Sequence, residues 1–151
     1  MDRRFGNFIQ FWPAFPDSAD MLHRLKARYK LVILSNVDRT SFAKSNRQLE
    51  VEFDAIFTAE DIGSYKPDPK NFSYMLQNLD CDKANILHIA QSLFHDIKPA
   101  IEAGLDTVWI DRQGLAKGGK WGATPKIDKP LQSGLTFNSL QQFTEFACEV
   151  A

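Results

Sequence analysis

The feature that most restricts the fold of this chain is an alternation of short β-rich apolar runs with longer stretches of helical period. The runs are LVIL at Leu31 to Leu34, AIFT at Ala55 to Thr58, ILHIA at Ile86 to Ala90 and TVWI at Thr107 to Ile110. Each is mostly apolar, as strands covered by helices on both faces must be. The expectation is an α/β chain, a doubly wound parallel sheet in three layers. Helices are predicted in DSADMLHRLKARY, with Met21, Leu22, Leu25 and Tyr29 on one face, and in DPKNFSYMLQNL, with Phe72, Met75, Leu76 and Leu79 likewise. Two more are IKPAIEAGL, stopped by Gly104, and NSLQQFTEFACEV, with Leu140, Phe143 and Phe146 inward. The stretch from Asp111 to Gly134, rich in Gly, Lys and Pro, reads as loop. With 151 residues, 44% hydrophobic, one folded domain is expected.

Charge excludes whole classes of partner. Lys+Arg 18 against Asp+Glu 19 leaves a net charge of -1, and neither sign forms a block. A nucleic-acid groove and a membrane-binding face are therefore not expected, and a small-molecule substrate is. Cys81 and Cys148 stand far apart without metal-ligand spacing, so they read as free thiols in a reducing, cytoplasmic setting. The first residues, MDRRFGNFIQFW, lack the apolar stretch of a signal peptide.

In an open α/β sheet the ligand sits beyond the carboxyl ends of the strands, which makes the residues after each apolar run the candidates. After the first run come Ser35, Asn36 and Asp38; after the second, Lys66 in a Tyr-Lys-Pro loop; after the third, Gln91, Ser92, His95 and Asp96. Singly, each has an ordinary explanation. Ser35 and Asn36 could start a helix, Lys66 could be a solvated lysine, and Asp96 could cap the helix from Ile97 to Ala103. Their convergence on one rim favours a site. His23 on a helix and His88 inside a strand read as structural, and GLAKGGK at Gly114 to Lys120 lacks the Ser or Thr and the following helix of a phosphate loop.

The ordered set LVILSN, YKPDP and ILHIAQSLFHDIKPAIEAGLDTVWI resembles the haloacid dehalogenase superfamily, and within it the 2-haloacid dehalogenase (type II) branch. FWPAFPD resembles the return from a helical cap, which divides the chain into residues 1–16, a cap remnant, and residues 17–151, a Rossmann-like core. The resemblance implies hydrolysis of a 2-haloacid through an aspartyl ester. Ser35 would hold a substrate oxygen with help from Asn36, Gln91 and Ser92. Lys66 would neutralise the attacking carboxylate and developing charge, and Asp96 would orient Lys66 or a hydrolytic water. Magnesium-dependent members carry an acid at the position of Gln91, so the resemblance implies no metal here; magnesium belongs to an alternative reading as a small-molecule phosphatase. Phe72 stands where dehalogenases commonly carry tyrosine.

The sequence contains no DxYGT, the superfamily's nucleophile motif. By resemblance, the first strand and most of the cap are missing, and the chain would be inactive alone. A further alternative is a truncated, non-catalytic interaction module. The absent strand would lie between LVIL and ILHIA, leaving unpaired backbone. Those two strands are expected to pair directly, or FGNFIQF or a second copy to fill the space. Phe5, Phe8, Ile9, Phe11, Trp12 and Phe15 favour a homodimer through this N-terminal aromatic segment.

Overall fold

The computed structural model describes residues 13–119 and 134–149. Helix α1 spans Ser18–Lys26 and leads to strand β1, Val32–Ser35. Helix α2, Arg39–Leu49, starts at Asp38, whose carboxylate accepts the backbone N–H of Ser41, and leads to β2, Ala55–Thr58. The short α3, Ala59–Ile62, opens on a reciprocal cap between Thr58 and Asp61. Asp68 caps α4, Pro69–Asn78, where Pro69 fills a first-turn position that needs no N–H. Strand β3, Leu87–Ala90, runs into a wide turn, Leu93–Ile97, continuous with α5, Lys98–Glu102. Then follow β4, Asp106–Ile110, β5, Leu135–Phe137, and α6, Leu140–Glu149.

All strand pairings are parallel. β1 pairs with β2, and β4 lies between β3 and β5. Helices cover both faces. On one, Val32, Leu34 and Phe57 pack with Phe72 and Met75 of α4 and Ala100 of α5. On the other, Val108 and Ile110 of β4 pack with Leu25 of α1 and Phe143 of α6. Fully burying a side chain such as Phe72 or Val108 contributes about 1.5–3 kcal/mol, so these two layers carry much of the stability. The three-layer α/β architecture is the one expected.

Several local expectations need correction. Among the described residues the strands form two sheets, β1–β2 and β3–β4–β5, so the suggested direct pairing of LVIL with ILHIA does not occur. The shared α4–α5 layer explains why none is needed to hold them: Val32 and Leu34 of β1 and Ile86, at the entry to β3, meet the same apolar cluster. A fifth strand, β5, follows the loop. Tyr29 lies past the end of α1 and is exposed rather than inward, whereas Phe146 is partly exposed but its ring meets Phe137 of β5, with centroids 5.5 Å apart. The stretch read as loop contains a helical turn, Leu115–Lys117, held by Asp111, whose carboxylate accepts the N–H groups of Leu115 and Ala116. FGNFIQF, on which the dimer expectation rests, lies outside the described residues. No helix among the described residues is long and apolar enough to cross a membrane.

Candidate active site

The site begins with a lysine that the fold takes out of water. Lys66 is 8% exposed, and its Nζ donates to the Leu34 carbonyl of β1 at 2.6 Å and to Asp96 Oδ1 at 2.6 Å. A buried ammonium needs such partners, because desolvation would otherwise favour its neutral form. The loop is fixed as firmly as the side chain. Asn36 Nδ2 donates to the Lys66 carbonyl at 2.9 Å, and Asn36 Oδ1 accepts the Lys66 N–H at 2.7 Å.

Asp96 lies one turn beyond β3. Its cap reading does not apply: Ser92 caps the turn, its Oγ accepting the His95 N–H at 3.1 Å, and the Asp96 side chain turns to Lys66 instead. Burial pushes the Asp96 carboxyl up, but the nearby His88 ring nitrogen and the Lys66 ammonium outweigh it and hold the group below its ordinary value. Asp96 is therefore an anion at neutral pH, paired on one oxygen.

The remaining sequence candidates fall around this pair. Ser35 ends β1, in register with Thr58 of β2, and its hydroxyl makes no hydrogen bond among the described residues. The Gln91 side-chain amide is likewise uncommitted, whereas the Gln91 carbonyl accepts from Trp109 Nε1 at 3.0 Å. Ser35 and Gln91 thus have polar groups to offer a ligand. Asn36 and Ser92 spend theirs on the protein: Asn36 on the Lys66 backbone, and Ser92 on the turn, with its Oγ also 3.2 Å from His95 Nδ1. Asp38 is committed as well, one oxygen to the Ser41 N–H and the other to the Ser41 hydroxyl.

Sequence reasoning passed over His88. Its Nε2 lies 3.5 Å from Asp96 Oδ1, longer than an ordinary hydrogen bond, and is buried without a hydrogen-bond partner. A polar residue inside an apolar strand was the available signal. A groove of about 690 Å³ between α2 and β2, lined by residues such as Phe42, Asn46 and Ile56, contains none of these groups and has no part in the site.

Asp96 and Gln91 by themselves offer too few anionic oxygens for a magnesium ion. A hard cation takes several anionic or carbonyl oxygens, yet Asp96 is paired with Lys66 and Gln91 is neutral. No cluster of three or more His, Cys, Asp or Glu suited to a metal occurs among the described residues.

With a lysine and an acid joined across the carboxyl ends of β1 and β3, the comparisons with known proteins complete the assignment. Residues 7–110 match the family described as haloacid dehalogenase-like hydrolase, and the chain belongs to it. An (S)-2-haloacid dehalogenase of Pseudomonas putida is 31% identical over 105 residues, covering 68% of this chain and 46% of the relative. A human N-acylneuraminate-9-phosphatase is 28% identical over 110 residues, covering 71% and 44%. The chain thus spans about half the length of these curated relatives. Its fold is also that of an L-2-haloacid dehalogenase from Xanthobacter autotrophicus solved with chloropropionic acid covalently bound, with a TM-score of 0.79 at 18% identity, over 100% of this chain and 69% of the other.

Proposed function

We propose that this chain supplies the cationic and acid–base part of a metal-independent site for hydrolysing a 2-haloacid. The observation that carries the reading is the buried Lys66–Asp96 pair, together with an uncommitted, neutral Gln91 at the end of β3. In such a reaction a carboxylate attacks the halogen-bearing carbon, halide leaves with the bonding electrons, and water hydrolyses the resulting ester to a 2-hydroxy acid. Lys66 would offset the charge on the attacking carboxylate. Asp96 would accept a proton from the hydrolytic water, and Ser35 and Gln91 would hold the substrate carboxylate. The sequence has no DxYGT motif, so we assign no nucleophile within it and expect the chain by itself to be silent.

Two measurements test this. Addition of 2-chloropropionate should shift the NMR signals of Ser35, Lys66 and Gln91 with magnesium absent, while halide release by the chain alone stays at background. Metal-independent halide release would overturn the assignment of silence, and point to a carboxylate such as Asp38 or Asp96 as nucleophile. A phosphatase reading, supported by the phosphatase among the relatives, instead requires magnesium-dependent binding of a phosphomonoester. Binding of neither ligand would leave a non-catalytic interaction module.

A further inference from the structure

We propose that His88 is a positioning residue of this site, holding the Asp96 carboxylate by Oδ1 so that Oδ2 remains free for the reacting water. The inference rests on the hydrolase reading above and adds a member to its machinery. Three observations carry it. Asp96 Oδ1 receives Lys66 Nζ at 2.6 Å and faces His88 Nε2 at 3.5 Å, whereas Oδ2 makes no hydrogen bond among the described residues. Both nitrogens therefore address the same oxygen. The His88 ring stands edge-on to Phe72 of α4, with centroids 5.1 Å apart at 72°, which fixes its plane by packing. Nε2 is buried with no other partner.

The position makes little sense for packing alone. A phenylalanine at residue 88 could meet Phe72 equally well and would bury no ring nitrogen. Among the described residues the polar atom faces one acid, Asp96; Lys66 lies across that acid, and Phe72 contributes no charge. Catalytic hydrogen bonds are often long before substrate binds and tighten afterwards. As Lys66 turns its charge toward an incoming anion, His88 becomes the remaining donor on Oδ1 and keeps the carboxylate from rotating.

The role requires a proton on Nε2, and that can be read from imidazole ¹H–¹⁵N spectra of the full chain. The expected result is an Nε2–H tautomer whose signal shifts, or whose proton is lost to exchange, in Asp96→Asn. Packing against Phe72 alone would produce no such dependence. An Nδ1–H tautomer, or a His88 signal unchanged in a folded Asp96→Asn protein, would overturn the proposal; should that variant fail to fold, the wild-type tautomer decides. Failure of 2-chloropropionate to shift Ser35, Lys66 and Gln91 would instead sink the substrate reading while leaving the His88–Asp96 contact standing.

Discussion

Strands β4 and β1 show what the two halves of the molecule are for. β4 has a strand on each side and helices over both faces, and from Thr107 to Ile110 every residue is buried. β1 has one paired neighbour, β2, among the described residues, and all four of its residues are only partly covered. β3 resembles β1 on its outer edge, with Leu87 46% exposed. The chemistry-bearing side chains gather at the carboxyl ends of β1 and β3, both less covered than β4. Burial thus supplies stability in one region, and incomplete burial leaves polar groups available in the other.

Substitutions should separate the regions, and the largest effects belong to burial. Phe72→Ala removes a ring with no exposed surface from the layer both sheets share, and should cost about 3–5 kcal/mol in urea unfolding. A loss below that range would show that the layer collapses around the gap. Lys66→Met should cost a similar amount, about 3–5 kcal/mol, because the buried Asp96 carboxylate loses its ammonium partner. The double variant Lys66→Met/Asp96→Leu should recover most of that loss. Failure to recover would mean that the Leu34 contact, not the ion pair, is what Lys66 stabilises.

Acid sharpens the comparison further. The Asp96 carboxyl is lowered from an ordinary value of 3.8, so its contribution is complete above that pH and disappears as the pH falls through the lower folded-state value. Asp96→Asn should therefore lose stability less steeply below about pH 4 than the parent, by thermal melting across a pH series. Part of the acid slope must remain, since Asp17, Asp38 and Asp61 are lowered too. At the small end, Asp38→Ala should cost about 1 kcal/mol through loss of the α2 cap. Leu87→Ser, at an exposed position, should stay within about 0.5 kcal/mol of the parent.

The alternation of runs and gaps was enough to read the layers, because each strand buried on both faces leaves its own apolar signature. β2 matches its run at both ends, β3 and β4 differ from theirs by one residue at the start, and β1 is shifted by one residue at both ends. β5 escaped because three residues, LTF, carry no periodicity and are recognisable as a strand only through their register with β4. The candidate site was legible as residue types at strand ends, but not as contacts. Nothing in the sequence says that Asn36 meets the backbone of residue 66, or that the histidine of an apolar strand meets an aspartate from the following turn. Those meetings depend on tertiary placement, which local pattern does not encode.

Asn36 carries a consequence for the protein's durability. Its side chain offers one donor and one acceptor to the Lys66 peptide, as a residue on a neighbouring strand would, so a carboxamide stands in for a rung of β-ladder. Aspartate would keep the acceptor and set a second oxygen against the Lys66 carbonyl, while glutamine would overreach by a methylene. Spontaneous hydrolysis of this one side chain, with water replacing ammonia, would produce that aspartate. Chemical ageing at residue 36 would then loosen the loop that carries the buried lysine, with no change in the Lys66 or Asp96 side chain itself.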